Sequence, residues 1–473
     1  MNQQPQHTQD SLMIGRYMHP EWTLSIGLYP ATLFLSAVIY ALFILAYPPS
    51  RPLTRKLSIL ILSAPTWFAF RNANDIVPSY ELMDTFMRFC LIWFVHMSYE
   101  VCVLEFTPVV RRRGKGEIKD RFMQAYKVLW DRNHTQVLHQ QGYNLPTTST
   151  STSKTTNGYP TPQEPYTTTD KKTDEPMVHA THIHRGVALP LGRHQHSYTR
   201  WQLVRHHLLK ALLMYSFQTA YAIYEDYYSP LRLNPRAFVR DENIRFFRRM
   251  PASLHYKELY YRTEEAFEWN IGSMWLYEGY HSICAVLWVG IGLDGPEEWS
   301  LNLFGPLAEA WSVRRYWNKY WHNFVYHSFS GHFKCVTRGW LGMRRGAVAT
   351  RLLENSLVFV ASGLMHSLVR WQHSPTSDIW AITFLYAGQM IPIVIEGVVV
   401  HYWRRVRKSC GFRDEAKWLN VAEYAVGYSW SIGWQVYSVS KYYITRRVWT
   451  DAKILKRYED MFEDHGLNET DSE

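Results

Sequence analysis

Cysteine is scarce in this chain, and its few copies are not spaced to bind a metal ion or to build a disulfide framework. The 473 residues contain five cysteines and no CxxC pair. Paired spacing is the signature of both a small disulfide scaffold and a zinc knuckle. The HExxH motif of zinc proteases and the GxSxG motif of serine hydrolases are also absent. These absences direct attention away from those common hydrolytic chemistries.

Acidic residues are outnumbered by basic ones, 41 against 51, and the formal net charge is +10. In a soluble chain such a balance could indicate a nucleic-acid partner. Here the basic residues sit in short loops beside apolar runs, as in "RPLTRK", "RRRGKGEIK" and "HYWRRVRK". Membrane proteins place Lys and Arg in their cytosolic loops. We therefore expect a lipid bilayer, and no nucleic acid, as the partner of these charges.

Long apolar runs alternate with very polar stretches, so the mean hydropathy of −0.27 hides the membrane character. The N-terminus lacks the basic segment and apolar core of a cleaved signal peptide, and we expect the first span to remain as an anchor. Several runs carry polar residues, as in helices that line an internal cavity. We predict an all-α, polytopic membrane bundle with an internal catalytic chamber and about eight spans. A 19-residue window places them at about 24–47, 57–70, 82–104, 203–224, 271–293, 352–369, 377–400 and 420–440.

Composition divides the chain into five parts. A Thr/Ser/Pro-rich stretch at 144–178 has almost no aliphatic residues and is predicted to be disordered, because it cannot bury enough apolar surface. The basic loops after spans one and three favour a lumenal N-terminus and a cytosolic loop at 294–351. The parts are a polar N-terminal tail (1–22), spans one to three (23–110), a polar loop (111–200), the catalytic membrane core (201–445) and a polar C-terminal tail (446–473).

A polar face interrupts the apolar run "NSLVFVASGLMHSLV". On a helix, Asn355, Ser362 and His366 fall within about 40° of one another, and Gly363 permits close approach of a neighbouring helix. Ionisable side chains at membrane depth are costly, by about 2.5 kcal/mol or more when charged, and generally face a partner helix or a water-filled cavity. The face is either helix-to-helix hydrogen bonding or the site of a catalytic histidine.

A second constellation combines basic and aromatic residues in "WSVRRYWNKYWHNFVYH", residues 311–327. A helix lying at the membrane interface needs tryptophan and arginine simply as anchors. The density of hydrogen-bonding side chains exceeds that need, and such a helix is suited to hold phosphates. The residues concerned are Arg314, Arg315, Trp317, Asn318, Lys319, Trp321 and His322, with Asn318 and His322 predicted to share a helical face with Arg315.

Histidines recur every five residues at His322, His327 and His332. Membrane desaturases hold two iron ions with histidine boxes, and HxxxxH is the first of these. The further boxes of type HxxHH are absent from the sequence. We therefore expect a run of ordinary histidines here, and no metal.

Together, the two constellations resemble the membrane-bound O-acyltransferases, and among them the wax synthase-like branch. The motif of that branch reads approximately S-x-x-x-F-W-x-x-x-W-H/N. Here it is formed by Ser312, Tyr316, Trp317, Trp321 and His322, with tyrosine in place of phenylalanine. A lone histidine in an apolar span follows, as in the family. Several fungal members of this branch acetylate hydroxyl groups of terpenoids or other secondary metabolites.

The resemblance implies that an acyl group moves from acyl-CoA, a co-substrate, to a hydrophobic alcohol, with no bound cofactor. His366 matches the catalytic histidine and would remove the hydroxyl proton as the oxygen attacks. His322 matches the second site, where it would orient the thioester or donate to the oxyanion. Acyl-CoA would be bound by Arg314, Arg315, Lys319, Trp317 and Trp321, while Asn318, Asn355 and Ser362 support the polar face. We expect acetyl-CoA as the donor and the endoplasmic reticulum as the location.

Three alternatives differ in what they predict. A wax ester synthase would join a long-chain fatty alcohol to a fatty acyl-CoA. A transporter would use the intramembrane polar residues to carry protons or substrate, but the inverted repeats of that class are not found in the sequence. In a non-catalytic membrane protein the polar face would serve helix packing alone, and mutation of His366 would change folding without removing a chemical step.

Overall fold

A computed structural model describes residues 23–77, 80–108, 116–130, 198–228, 256–300, 302–322, 326–373, 380–411 and 417–464. Within these ranges every regular element is a helix, which agrees with the predicted all-α class. The predicted disordered segment at 144–178 lies outside the described residues. The helices are α1 (Leu24–Ala46), α2 (Pro52–Arg71), α3 (Tyr80–Cys102), α4 (Glu117–Leu129), α5 (Arg200–Tyr228), α6 (Tyr256–Phe267), α7 (Ser273–Gly290), α8 (Pro296–Trp299), α9 (Val313–Arg315), α10 (Tyr326–Lys334), α11 (Val348–His373), α12 (Trp380–Gly388), α13 (Met390–Ser409) and α14 (Lys417–Asp464).

Three stretches of the described chain are long and apolar enough to cross a bilayer: Leu24–Ala46, Val348–Gln372 and Trp380–Ser409. A span needs about 20 predominantly apolar residues. All eight predicted spans fall on helices, but five of those helices do not meet that standard of length and apolarity. The membrane character is thus supported, and the count of eight remains a prediction.

Helices α5 and α7 contain polar residues that pair with each other between the two helices, and these residues are one reason that the helices are not strongly apolar. Lys210 Nζ on α5 donates to Glu278 Oε2 on α7 at 2.6 Å, and both side chains are largely buried. A ring nitrogen of His207 lies 3.1 Å from Ser282 Oγ across the same helix pair. Buried charges require such partners. These four polar residues, which lower the hydropathy of the two helices, therefore point toward the partner helix.

The chain forms two compact units. Of the described residues, the larger unit contains 23–37, 61–96 and everything from 198 onward, and the smaller contains 38–60 and 97–130. In the smaller unit the rings of Phe43 and Phe122 meet edge to face, and Arg55 donates to the backbone oxygen of Phe106 at 3.2 Å. Both predicted constellations belong to the larger unit.

Close contact between α11 and α12 determines where the His366 helix sits. A Cβ atom added to Gly363 would lie 2.8 Å from Thr383 Cα, so only glycine permits this approach. Nearby, the hydroxyls of Ser367 and Thr383 are 2.5 Å apart. The two polar side chains thereby satisfy each other between helices. The close approach expected from Gly363 is confirmed.

Candidate active site

The segment that carries the family-type motif begins as one helical turn held by a carboxylate. Ser312 caps α9, and its hydroxyl accepts a hydrogen bond from the Arg315 amide at 3.2 Å. Glu396 of α13 accepts the amides of Val313 and Arg314 at 2.5 and 3.0 Å. An acidic side chain at the positive end of a helical turn satisfies amides that have no intrahelical partner. The start of the motif is therefore hydrogen-bonded to a candidate membrane span, Trp380–Ser409.

The motif continues as a π-helical turn, Tyr316–Tyr320, and ends there. The Gly305 amide donates to the Tyr320 oxygen at 2.8 Å, and a Cβ atom on Gly305 would lie 1.9 Å from the Lys319 oxygen. Trp321 is extended, so His322 lies beyond the helix. The expected shared face of Asn318 and His322 is therefore wrong: Asn318 is exposed, while His322 turns inward.

Aromatic rings surround the imidazole of His322. Tyr277 and Phe304 meet it edge to face, with centroids 5.5 and 5.4 Å away, and Trp321 lies at 5.2 Å. Burial among these rings, followed by the positive charge of Arg88, lowers the pKa of His322 to about 3. The imidazole is consequently neutral at physiological pH.

The imidazole of His366 stacks on the ring of Tyr386, with centroids 4.6 Å apart and planes inclined by 10°. Stacking covers a face of the ring and leaves its edge, where both nitrogens lie, open to other contacts. The Nδ1 atom is buried and has no hydrogen-bond partner in the described structure. His322, Asp84 and Arg88 are close enough to act on His366 electrostatically. The structure thus places the two predicted histidines close enough for their charges to interact.

Trp317 and Trp321 belong to a wall of aromatic rings beside these histidines. Their centroids are 5.6 Å apart, and Trp317 also meets Phe359 of α11 edge to face. The Trp317 indole donates to Gln389 Oε1 at 3.2 Å, at the break between α12 and α13. The two tryptophans thus contact each other across a turn that is π-helical.

The three cations of the motif have different surroundings. Arg315 forms an ion pair with Glu309 and lies over the Trp311 ring. Arg314 is exposed and Lys319 is half-buried, and no carboxylate in the described part of the chain pairs with either. Of the trio predicted to hold phosphates, these two are the ones whose charges remain available to a ligand.

The other predicted residues occupy varied positions. On α11, Ser362 is buried and Asn355 is half-buried. His332 lies 3.4 Å from the backbone oxygen of Val95, and the side chain of His327 lies outside the described set. Among the described residues, no group of three His, Cys, Asp or Glu side chains is arranged to hold a metal ion.

An ion pair on α3 was not among the site residues predicted from the sequence. Arg88 pairs with Asp84 one turn earlier and donates to the Tyr277 hydroxyl at 2.7 Å. Its charge acts on both His322 and His366. Two opposite charges four residues apart inside a predicted span are a signal that could have identified this pair.

These features define a helical membrane protein with two histidines at an aromatic, partly charged centre. Residues 299–387, which contain both histidines, match the model of the membrane bound O-acyl transferase family. The resemblance inferred from the motif is confirmed over this segment.

Relatives among characterised proteins are fungal acetyltransferases. Acetyltransferase ataH of Aspergillus terreus is 28% identical over 163 residues, which cover 34% of this chain and 51% of that protein. Acetyltransferase spyB of Aspergillus fumigatus is 29% identical over 125 residues, 26% of this chain and 21% of that protein. For acetyltransferase TRI7 of Fusarium sporotrichioides the values are 24% over 157 residues, 33% and 35%. The chain thus matches about half or less of the length of these relatives. No solved structure matches it.

Proposed function

We propose that this chain is an acyl-CoA-dependent O-acyltransferase that moves an acetyl group from acetyl-CoA to a hydroxyl group of a hydrophobic acceptor. The observation that carries the proposal is the partnerless Nδ1 atom of His366, within electrostatic reach of His322 and inside the segment that resembles the membrane-bound O-acyltransferases. A buried imidazole nitrogen without a partner is costly for stability and suited to accept a proton.

In the proposed reaction, His366 takes the proton of the acceptor hydroxyl while the oxygen attacks the thioester carbon. The resulting oxyanion collapses, the carbon–sulfur bond breaks, and the coenzyme A thiolate leaves with the proton returned from the imidazolium. An alcohol is a poor nucleophile until a base removes its proton, and a positioned base contributes about 10²- to 10⁴-fold. The chain itself forms no covalent intermediate in this scheme.

His322 is proposed to act on the thioester side of the same reaction. Its neutral imidazole is held by three aromatic rings, which suits a donor with a fixed direction. Such donors are most effective when aimed in advance at the charge that develops. Orientation of the thioester, or donation to the oxyanion, is therefore assigned to His322.

The donor is proposed to enter along the exposed side of the motif. Arg314 and Lys319 would bind the phosphates of coenzyme A, with Arg315 adding charge beside Glu309. Trp317 and Trp321 would border the passage from these cations to the histidines. The basic character of the loop suits a cytosolic opening in a multi-pass protein of the endoplasmic reticulum, where the cytosol supplies acyl-CoA.

An internal chamber is part of the proposal. His322 and His366 lie deep among protein atoms, yet both keep some accessible surface. This combination supports a space inside the protein onto which both rings open. We propose that the chamber receives a terpenoid or other secondary metabolite bearing a free hydroxyl group.

The test is acyl transfer by membranes that contain the full chain. Labelled acetyl-CoA and palmitoyl-CoA are each supplied with a panel of terpenoid and fatty alcohols, and membranes lacking the chain are the control. Transfer of label from acetyl-CoA to a terpenoid alcohol is expected. Preference for palmitoyl-CoA with a fatty alcohol would assign the chain to wax ester synthesis instead. No transfer from either donor, with the protein present in normal amount, would overturn the proposal.

A further inference from the structure

Glu278 of α7 uses both of its carboxylate oxygens, and each of them meets a different part of the chain. Its Oε2 atom accepts from Lys210 Nζ of α5 at 2.6 Å, and its Oε1 atom accepts from the backbone amide of Phe304 at 2.8 Å. Lys210 Nζ also donates to Asn302 Oδ1 at 2.7 Å. Glu278 is only 4% exposed, and hydrogen bonds to a charged group are among the stronger ones in proteins. The ion pair therefore holds two residues of the short segment 302–305, which precedes the motif.

This segment packs against the end of the motif. The buried ring of Phe304 meets His322 edge to face with centroids 5.4 Å apart, and it meets Trp321 in the same way at 5.3 Å. The next residue, Gly305, donates its amide to the Tyr320 oxygen at 2.8 Å. Because protein interiors are closely packed, a displacement of Phe304 would be passed on to the imidazole.

A neighbouring residue of α7 reaches the same imidazole. Tyr277 meets His322 edge to face with centroids 5.5 Å apart, and its hydroxyl accepts from Arg88 at 2.7 Å. One turn of α7 thus fixes two of the three rings around His322, because Tyr277 belongs to that turn and Phe304 is hydrogen-bonded to it through Glu278. His322 follows an extended residue beyond the helical end, so no helix of its own sets its direction.

Resting on the proposed acyl transfer, we propose that Glu278 is a positioning residue that directs His322. Its Oε1 atom holds the Phe304 backbone, and the rings of Phe304 and Tyr277 then hold the imidazole toward the thioester. Lys210 provides the partner that a buried carboxylate needs. An apolar pair of similar volume would join α5 to α7 at equal or greater stability, but it would leave the Phe304 amide without an acceptor. Positioning thus accounts for an ion pair that packing alone does not require.

Two double variants isolate the hydrogen bond to Phe304. Lys210→Met with Glu278→Gln removes the ion pair and keeps an acceptor oxygen, whereas Lys210→Met with Glu278→Leu removes both. Substituting the two partners together avoids a stranded buried charge. Turnover of labelled acetyl-CoA with one acceptor alcohol is measured in membranes that contain the full chain and is normalised to the amount of protein. The glutamine variant should keep most of the turnover. The leucine variant should have a kcat about tenfold lower than the glutamine variant, the effect of one hydrogen bond, with an unchanged KM for the alcohol.

A second background distinguishes positioning of His322 from general support. In chains that also carry His322→Ala, the two double variants should turn over at nearly equal rates, because no imidazole remains to be directed. The leucine variant should still unfold at a lower temperature than the glutamine variant in both backgrounds, since its Phe304 amide is buried without an acceptor. A tenfold difference in turnover that persists without the imidazole, or no difference in its presence, would overturn the inference.

Phe304→Leu tests the second contact without touching the ion pair. The substitution keeps the backbone amide on Glu278 and removes the ring that meets His322. It should lower kcat about three- to tenfold, as expected for the loss of one aromatic contact, and this loss should vanish in the His322→Ala background. An undiminished effect in that background would contradict action through the ring. Absence of acetyl transfer by the wild type to any alcohol would instead overturn the proposed function.

Discussion

The two histidines of the candidate site sit in contrasting surroundings. His366 lies within a regular helix, with one face of its ring on Tyr386 and its Nδ1 atom without a partner. His322 lies just after a π-helical turn and is enclosed by Tyr277, Phe304 and Trp321. The first arrangement leaves a nitrogen available to exchange a proton, and the second fixes the direction of a ring. Under the proposed function, these two surroundings would divide the reaction, with proton transfer at His366 and orientation at His322.

The largest effect is expected from His366→Ala. Loss of a general base should lower turnover about 10²- to 10⁴-fold, or roughly 3–5 kcal/mol in activation free energy. Turnover in membranes, normalised to the amount of protein, is the measurement. Affinity for acetyl-CoA should change little, because the imidazole acts on the acceptor hydroxyl. Near-normal turnover would assign His366 to packing and would remove the contrast.

Several of these features could be predicted from the sequence because they depend on neighbours along the chain. The polar face with His366 follows from helical spacing, and the eight apolar runs each mark a helix. The position of His322 could not be predicted, because the π-helical turn before it packs closely on Gly305 and follows a turn whose amides are bound by the distant Glu396. The spacing of Asp84 and Arg88 signals their ion pair, but nothing in the local sequence of Arg88 says that it will also meet Tyr277 of a distant helix.

His322→Ala should have the next largest effect, about 10²-fold in turnover if the imidazole donates to the oxyanion. His322→Asn should retain more activity, because the family motif accepts asparagine there and the amide can still donate. Acyl-transfer rates with the best acceptor test this order. Equal activity of the two variants would mean that the position fills space, and the proposed division between orientation and proton transfer would fail.

The same residue predicts a pH dependence of stability. The pKa of His322 is about 3 in the folded chain and 6.5 unfolded, so only the unfolded state gains its proton between these values. Stability is intact above pH 6.5 and falls as the pH drops toward 3, by about 2 kcal/mol at pH 5. His322→Asn lacks this loss. Thermal unfolding in detergent at pH 7 and pH 5 should show a smaller decrease for the variant, and equal decreases would contradict the assigned environment.

Substitution of Glu396 should selectively disturb the motif that ends at His322. Glu396→Leu leaves the amides of Val313 and Arg314 and the Trp430 indole without their acceptor. Each such buried donor costs about 1–3 kcal/mol, and we expect a turnover loss of about tenfold as the motif loosens. Glu396→Gln keeps one acceptor oxygen and should lose less. Unfolding temperature and turnover should fall together, and an unchanged unfolding temperature would show that the carboxylate does not hold the motif.

The smallest effects are expected from the cations of the motif. Their substitution should change the KM for the donor, acetyl-CoA, and leave the KM for the acceptor alcohol unchanged. Arg314→Ala and Lys319→Ala should each raise the KM for acetyl-CoA about three- to tenfold, because one charge-assisted hydrogen bond to phosphate is lost at a site that solvent still reaches. Added salt should reduce the difference in the KM for acetyl-CoA between these variants and the wild type, since screening weakens the same interaction.

Arg315→Ala should instead reduce stability more than donor affinity, because its guanidinium already pairs with Glu309 and covers Trp311. Arg405→Ala, an exposed cation on α13, is the control for nonspecific charge. A rise in the KM for the acceptor alcohol, with the KM for acetyl-CoA unchanged, would contradict the proposal that these cations bind the donor.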